Sequence, residues 1–272
     1  MREILTTIIG DLAFDTKIKG GETRTDIAGG AYGCAVGASK FSDRVGLVAE
    51  VGPDFDLGTL ARRKIDVQGV KVNPEKNTPH FQLVIEDDGR RTMISASNIR
   101  DNIDTASFPP DYLSSLFFHL ATSHPNKHLA WIEYLKGRKC ASTNTGTGLL
   151  SADIFEIFAK LHAESTHKVI SSVGLLFLNE EEHKILAEFG TVTYGIPCVL
   201  KKGNRGAVYI DGEQYIEVPA KQVKTVDTTG AGDVLAGAFL ALRSEGYEIG
   251  TALKIAVDLA SQSVTVYGLE HI

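Results

Sequence analysis

Cysteine and net positive charge are both scarce in this sequence. The three cysteines are odd in number and far apart, and no C-x-x-C pair occurs. Neither a disulfide framework nor a cysteine-rich metal site is therefore indicated, and a reducing cytoplasmic location is expected. The net charge of −6 argues against a nucleic-acid partner, which requires a basic surface.

Long apolar runs are also missing. No stretch approaches the roughly 20 apolar residues of a membrane span, so no membrane partner is expected. The N-terminal run MREILTTIIGD has one basic residue and ends at Gly10-Asp11. This pattern is typical of a first core strand rather than of a signal peptide.

Two common nucleotide-binding fingerprints are absent from the sequence. No Walker A pattern, G-x-x-x-x-G-K-[ST], occurs, so a P-loop kinase is disfavoured. No G-x-G-x-x-G follows the first predicted strand, so a Rossmann dehydrogenase is disfavoured. Any nucleotide site must be built in another way.

Short apolar segments alternate with helical patterns along the 272 residues, of which 43% are hydrophobic. This length and composition fit one large domain with a well-developed core. The alternation predicts an α/β fold in which helices cover both faces of a parallel sheet and ligands bind beyond the carboxyl ends of its strands. We predict strands over 5–9, 44–51, 116–120, 138–142, 175–178, 198–201 and 207–210, and helices over 31–41, 57–64, 127–136, 151–163, 180–189, 233–244 and 249–264.

One segment departs from this alternation. Phe81, Leu83 and Ile85 would share one face of a strand. The turn sequence Asp87-Asp88-Gly89 and a return strand over 90–95 follow, which predicts a β-hairpin inserted between α/β units. Because a lone hairpin with an apolar face is unstable in water, we expect it to cover the active site, a partner subunit or both.

The most informative stretch is TVDTTGAGDVLAGAFL, residues 225–240. A small-residue turn leads into an apolar helical pattern that opens at Asp233. Such a turn presents unpaired N–H groups that, with the helix dipole, can bind a phosphoryl anion. A carboxylate at the same turn could accept a proton from an attacking hydroxyl, and the two features together suit phosphoryl transfer. A helix cap after a tight glycine turn is the alternative interpretation.

DTTGAGD followed by a small-residue helix resembles the C-terminal signature of the ribokinase, or PfkB, family of carbohydrate kinases. The resemblance implies a ribokinase-like, Rossmann-type three-layer α/β sandwich with a mostly parallel central sheet and a small β-hairpin lid. It also implies ATP- and Mg²⁺-dependent phosphorylation of a hydroxyl, expected to be a primary alcohol, on a sugar or sugar derivative. Asp233 would then be the general base, and a monovalent cation such as K⁺ is expected near the same loop. The N–H groups that hold the transferred charge would be those of Gly230, Ala231 and Gly232, with Asp227 and Thr228 shaping the loop beside ATP.

The acceptor end of the site is implied by the first strand and the first helix. Asp15 matches the family position that accepts hydrogen bonds from sugar hydroxyls, and Gly29-Gly30 matches the pair that lies against the sugar. Cys34 stands where the family usually has an asparagine that touches the sugar, and a thiol cannot supply both an amide's donor and its acceptor. A solvated loop carboxylate and a simple turn are the alternatives for Asp15 and the glycine pair.

The residues expected to bind the metal and the nucleotide each come directly after a later predicted strand. Asn179 and Glu182 match an N-x-x-E motif that organises Mg²⁺ in the family, and oxygen ligands suit this ion. A helix cap with acidic first-turn residues explains the same pattern. Lys202, Gly203 and Gly206 match a glycine turn that borders ATP, for which a basic β-turn is the alternative.

The resemblance makes residues 1–272 a single kinase domain whose lid comprises about 16–28 and 78–98. The first lid segment is short, so we expect a reduced lid, which weakens the case for a lid-mediated homodimer. The expected partners are ATP and a sugar-like small molecule. Two other hypotheses stay open: a nucleoside kinase in which Tyr32 or Phe81 stacks on a base, and a non-catalytic sugar-binding relative.

Overall fold

The structure, a computed structural model, describes residues 3–86, 91–100, 103–138, 140, 148–188 and 195–272. Its strands are β1 Thr6–Ile9, β2 Ala13–Lys19, β3 Glu22–Ala28, β4 Val45–Val51, β5 Asp66–Val72, β6 His80–Ile85, β7 Arg91–Ser97, β8 Phe117–Leu120, β9 Leu149–Asp153, β10 Leu175–Asn179, β11 Cys198–Lys201, β12 Ala207–Asp211 and β13 Gln214–Val218. Its α-helices are α1 Gly30–Ser39, α2 Gly58–Arg62, α3 Pro125–Gly137, α4 Glu156–Leu161, α5 Ala163–Ile170, α6 Glu180–Glu188, α7 Ala231–Ser244 and α8 Ile249–Ser263. Within these residues, no helix is long and apolar enough to cross a membrane.

The central sheet has nine strands in the order β13-β12-β11-β10-β9-β8-β1-β4-β5. Neighbours from β11 to β5 run parallel, and β12 and β13 are added antiparallel at one edge. The predicted α/β class with a mostly parallel sheet is therefore confirmed. The chain leaves β1 for β4 on one side and continues from β8 to β9 on the other. The gap between β1 and β8 is thus a topological switch point, where ligands of such sheets bind.

Helices cover both faces of this sheet, which makes three layers. Alternate strand residues point to opposite faces, so Ile8 packs with α1, α7 and α8, whereas Ile9 packs with α3, α5 and α6. On the first face, α1 and α7 approach each other closely. A Cβ at Gly37 would overlap the carbonyl oxygen of Val234, and one at Gly237 would overlap that of Cys34. Glycine at these positions therefore brings the start of α7 against α1.

A second, four-stranded sheet has the order β3-β2-β6-β7. It contains the predicted hairpin, β6 and β7, and a second hairpin made by β2 and β3, with β2 and β6 pairing in parallel. The predicted turn Asp87-Asp88-Gly89 lies outside the described residues. The small sheet is larger than the reduced lid that the sequence predicts, because the segment before Gly29 forms two paired strands of seven residues each.

Two secondary-structure predictions are wrong. The predicted helix over 151–163 begins as strand β9, Leu149–Asp153, and helix α4 starts only at Glu156. The predicted strand over 138–142 fails at Arg138, which caps the end of α3, and most of that range lies outside the described residues. The run Leu149–Asp153 packs within a sheet that is covered on both sides, so it lacks the polar alternation that marks a half-buried strand.

Candidate active site

Helix α7 begins at the glycine-rich turn of DTTGAGD. Gly230 precedes the helix with φ of 78°, a left-handed conformation that favours glycine. No side chain of the described residues caps this end. The N–H of Ala231 makes a long 3.4 Å bond to the carbonyl oxygen of Thr228. The first-turn N–H groups and the positive end of the helix dipole therefore lie at the turn that the sequence predicts to bind an anion.

Asp233 lies in the first turn of α7 and faces the start of α1. A Cβ at Gly33 would lie 2.6 Å from the Asp233 Cβ and 3.4 Å from its Oδ2. Helix α1 follows Gly29, which has φ of 99° and would place a Cβ over the carbonyl oxygen of Asp11, and Gly30 packs on Thr122 just beyond β8. The structure thus brings the predicted acceptor motif and the predicted base together at the switch point between β1 and β8.

This contact predicts that Gly33→Ala impairs turnover. Alanine favours a helix by about 1 kcal/mol over glycine, but its Cβ would push the Asp233 side chain away. Displacing a catalytic group by about 1 Å can cost on the order of 100-fold in rate, and the overpacking costs about 1–3 kcal/mol of stability. Steady-state kinetics and thermal unfolding of Gly33→Ala measure both effects. Gly250→Ala is the matched control, because a Cβ there meets its nearest atom at 3.8 Å; equal rates for the two variants would contradict this placement of Asp233.

A partly buried lysine and a buried aspartate, both missed by the sequence analysis, flank the same turn. Lys201 ends β11, and its Nζ donates to both carboxylate oxygens of Asp153, at 2.7 and 2.9 Å. Asp153 ends β9 and is 2% exposed. A Cβ at Gly232 would lie 3.4 Å from the Lys201 Nζ. The first turn of α7 therefore packs beside a fixed positive charge.

The ionisable groups of this cluster shift one another's pKa values. Burial and the charge of Asp153 raise the pKa of Asp233 to about 7, although Lys201 opposes the shift. Burial alone would lower the pKa of Lys201, but the carboxylates of Asp153, Glu182 and Asp233 raise it above its usual value. Lys201 therefore stays protonated, and Asp233 is a carboxyl group whose pKa would suit proton transfer near neutral pH.

The raised pKa of Asp233 predicts a pH profile. Because a general base must be unprotonated, kcat/KM should fall about tenfold per pH unit below pH 7 and be flat above it. Loss of activity below pH 7 should not come from unfolding caused by Asp233. Because its pKa is higher in the folded protein than in the unfolded chain, protonation of Asp233 increases the free energy of unfolding as the pH falls below 7. A pH series of initial rates with parallel thermal unfolding checks this. A flat profile down to the usual aspartate range, about pH 4, would show that the group acting as the base does not have the raised pKa of Asp233.

The structure places Asn179 and Glu182 in a reciprocal cap at the start of α6. The N–H of Glu182 donates to Asn179 Oδ1 at 2.8 Å, and the N–H of Asn179 donates to Glu182 Oε2 at 2.6 Å. The capping alternative is therefore present. Burial raises the pKa of Glu182 to about 8, with Lys201 opposing the shift and Asp153 adding to it. In the described part of the chain, no three histidine, cysteine or acidic side chains are grouped to hold a metal ion.

The predicted nucleotide turn forms at the end of β11. Gly203 and Gly206 have φ of 58° and 97°. Lys202 turns away from Lys201 and pairs with Glu217 on β13 at 2.6 Å. Of these two adjacent lysines, the structure brings Lys201 to the anion-binding turn. Thr228 is exposed at the same end of the molecule.

The predicted acceptor residues are not all brought together. Asp15 lies on β2, half-buried and in register with Asp26 on β3. Cys34 is fully buried between α1 and α7, so the structure does not present it to an acceptor, and its role is in helix packing. Tyr32 is also buried, at 1% exposure, whereas Phe81 on β6 is half-buried.

Asp227, the first residue of DTTGAGD, is buried and points into a separate polar cluster. Its Oδ1 accepts hydrogen bonds from the N–H and Oγ1 of Thr229 at 2.9 and 2.6 Å. Its Oδ2 accepts one from Lys17 Nζ on β2 at 2.5 Å. Burial would raise the pKa of Asp227, but these bonds hold it below its usual value. Asp227 is therefore ionised, and its hydrogen bonds hold the loop in this conformation.

The switch point of this α/β sheet carries a helix start suited to an anion and a carboxyl group with a pKa of about 7. This combination is typical of a phosphotransferase. The chain belongs to the pfkB family of carbohydrate kinases, whose model matches residues 4–271. Its activity is ATP-dependent phosphorylation of a sugar or a nucleoside. The resemblance seen in DTTGAGD is thereby confirmed over nearly the whole chain.

Individual relatives include both nucleoside and sugar kinases. The cytidine kinase of Thermococcus kodakarensis is 26% identical over 96% of this chain and 96% of its own length. The nucleoside kinase of Methanocaldococcus jannaschii is similar in structure, with a TM-score of 0.77 and 20% identity over 99% of this chain and 95% of that one. A putative ribokinase II from E. coli, solved with ATP and Mg²⁺, has a TM-score of 0.79 and 20% identity over 98% of this chain and 95% of that one. The two structural likenesses show the fold.

Proposed function

We propose that Asp233 is the general base of this kinase and that the acceptor is a sugar or sugar derivative with a primary hydroxyl. The observation that carries the proposal is the position of Asp233 between the helix start after Gly29-Gly30 and the anion-binding turn. A hydroxyl held against the glycine pair would lie beside this carboxylate and in front of the turn. General-base assistance in such a position is worth about 10²–10⁴ in rate.

In the proposed step, the acceptor oxygen attacks the γ-phosphorus of ATP while its proton passes to the Asp233 carboxylate. The bond from the γ-phosphorus to the bridging oxygen breaks, and ADP leaves. The N–H groups of Gly230, Ala231 and Gly232 hold the charge on the transferred group, which is the largest effect such sites offer. Lys201, fixed by Asp153, adds a positive charge beside the same group. Asp15, Gly29 and Gly30 orient the acceptor.

We propose that Asn179 and Glu182 hold Mg²⁺ through water. The cap uses Asn179 Oδ1 and Glu182 Oε2 as acceptors, which leaves Glu182 Oε1 outside the cap, and a bound cation would favour the ionised form of Glu182. Few protein ligands suit an ion that keeps several waters. When bound, Mg²⁺ supplies charge neutralisation at the phosphate oxygens.

We propose that ATP lies along the glycine turn, bordered by Lys202, Gly203, Gly206 and Thr228. The Lys202–Glu217 pair is at the surface, and an exposed pair contributes only about 0–1 kcal/mol. Lys202 can therefore exchange Glu217 for a phosphate oxygen at little cost. Both glycines have positive φ, and a Cβ at Gly206 would overlap the carbonyl oxygen of Val218, so the course of this turn requires glycine there.

A nucleoside is the second candidate acceptor. The cytidine kinase of Thermococcus kodakarensis matches this chain over nearly its full length, and a cleft lined by Asp11, Lys127 and Trp131 opens at the carboxyl end of β1. Because the backbone of Asp11 packs on Gly29, this cleft adjoins the proposed sugar position. Of the two aromatic residues that the sequence suggests for base stacking, Phe81 is the accessible one.

The deciding experiment is a screen of acceptors with Mg-ATP. ADP release is measured with pentoses, hexoses, sugar phosphates and nucleosides, and the phosphorylated product is identified by mass and by ³¹P NMR. We expect one class to give ADP and phosphorylated acceptor in equal amounts, with phosphate on a primary hydroxyl. Release of ADP without a phosphorylated acceptor, or inactivity with all four classes, would contradict the proposal.

Three further expectations stay predictions. A cytoplasmic location agrees with three cysteines that are all unpaired in the structure. The homodimer rests on the family resemblance. The monovalent cation, K⁺, also rests on the family resemblance alone.

A further inference from the structure

A buried ion cluster joins the small sheet to the anion-binding loop. Lys17 on β2 is 6% exposed, and its Nζ lies 2.5 Å from Asp227 Oδ2. The same ammonium lies 3.7 Å from Asp26 Oδ2 on β3. Asp227 and Asp26 have side-chain exposures of 4% and 10%. Charged side chains can stay buried in this way only if they are paired with opposite charges.

In the described part of the chain, each of these two carboxylates faces a protein cation. Asp26 Oδ1 accepts a hydrogen bond from Arg24 Nε at 2.7 Å, and the Arg24 guanidinium also lies over the ring of Tyr267. Two cations therefore face two carboxylates. An added monovalent cation would leave this cluster with an excess positive charge, which burial makes costly.

Three oxygen atoms beside the loop accept hydrogen bonds from protein donors, whereas the buried Asp26 Oδ2 has no such bond among the described residues and faces the Lys17 ammonium at 3.7 Å. Both oxygens of Asp227 accept hydrogen bonds, one from Lys17 and the other from Thr229. The carbonyl oxygen of Val264 accepts from the N–H groups of Val226 and Asp227, at 2.7 and 3.2 Å. An alkali cation needs several such oxygens as ligands. The residues present therefore do not fit the K⁺ that the family resemblance implies.

We propose that the Lys17 ammonium takes the place of a monovalent cation at Asp227 and makes this kinase independent of K⁺. Because Lys17 belongs to the small sheet, the same contact sets the loop conformation and couples it to the position of that sheet. Lys17 is thus a positioning residue, acting on the anion-binding turn through Asp227. Without the ammonium, Asp227 would be a buried carboxylate with a lost partner, and an external cation could then bind there.

The first test uses the unmodified protein. Initial rates and the thermal unfolding temperature are measured in KCl, NaCl and tetramethylammonium chloride at equal ionic strength. Crystals are also soaked in a Tl⁺ salt, whose anomalous signal reports a K⁺ site. We expect equal rates, equal unfolding temperatures and no Tl⁺ peak at Asp227. Activation by K⁺ or a Tl⁺ peak there would overturn the proposal, and the unfolding and crystallographic measurements need no knowledge of the acceptor.

The second test removes the ammonium with Lys17→Met. We expect the rate in tetramethylammonium chloride to fall by about 10- to 100-fold, the range of typical coupling between sites, and K⁺ or NH₄⁺ to restore part of it and raise the unfolding temperature. Lys19→Met, an exposed lysine on the same strand, is the matched control and should show neither effect. A folded Lys17→Met protein with an unchanged rate in all three salts would overturn the proposal; if the variant does not fold, the unmodified protein still decides it.

Discussion

Asp233→Asn is expected to lower kcat by about 10²–10⁴, the usual contribution of a general base, with KM for ATP nearly unchanged. Asparagine has the same shape but cannot accept the proton of the attacking hydroxyl. Burial and Asp153 raise the pKa of Asp233 to about 7, so its ionisation in the folded protein costs free energy above that pH. At pH 8 the variant should therefore be as stable as the unmodified protein or more stable.

Rates and thermal unfolding at pH 8 separate a catalytic effect from a folding defect. Asp258→Asn is the control, because Asp258 on α8 forms a surface pair with Lys221 and should leave both quantities nearly unchanged. A rate loss accompanied by a lower unfolding temperature for Asp233→Asn would point to a structural role. An unchanged rate would remove Asp233 from the mechanism altogether.

Lys201→Met is expected to have the second largest effect. Removing one preorganised charge-stabilising donor typically costs about 10²–10³ in kcat. Lys201 also lowers the pKa of Asp233, so the acidic limb of the pH profile should move to higher pH in the variant. The variant leaves the buried Asp153 without its partner, which costs about 3–5 kcal/mol of stability.

A double variant distinguishes the two roles of Lys201. Lys201→Met with Asp153→Asn removes both charges of the pair and should recover much of the stability but not the rate. Lys202→Met is the matched control for the single change, because its pair with Glu217 is at the surface; we expect a small stability change and at most a raised KM for ATP. Recovery of the rate in the double variant would show that Lys201 acts only in folding.

The catalytic turn could be predicted because its signals are local. Gly230 and Gly29 adopt positive φ, a backbone conformation that favours glycine, so the glycines mark these turns in the sequence. The same short stretches also predict where the helices after these turns begin. The family resemblance then assigned Asp233 its role, and the fold supplied the contact with Gly33 that supports it.

The buried charges could not be predicted in the same way. The sequence predicts a helix over 151–163, because this part of the chain has no polar alternation, so Asp153 does not stand out as the end of strand β9. Lys201 and Lys202 are adjacent, so a strand must send them to opposite sides, but only packing decides which one meets α7. Cys34 occupies a family contact position, yet the close approach of α1 and α7 buries it.

By itself the sequence determined the α/β alternation, the turns that require glycine, and the loop that binds an anion, because these depend on residues a few positions apart. The tertiary structure alone decided which charges stand beside that loop. Lys17 and Asp227 are 210 residues apart, and Lys201 and Asp153 are 48 apart. Lys17 lies on the small sheet and Asp227 in the loop before α7, whereas Lys201 and Asp153 end two strands of the central sheet. Each pair forms only after tertiary packing has brought these segments together, and burial makes an unpaired charge there costly.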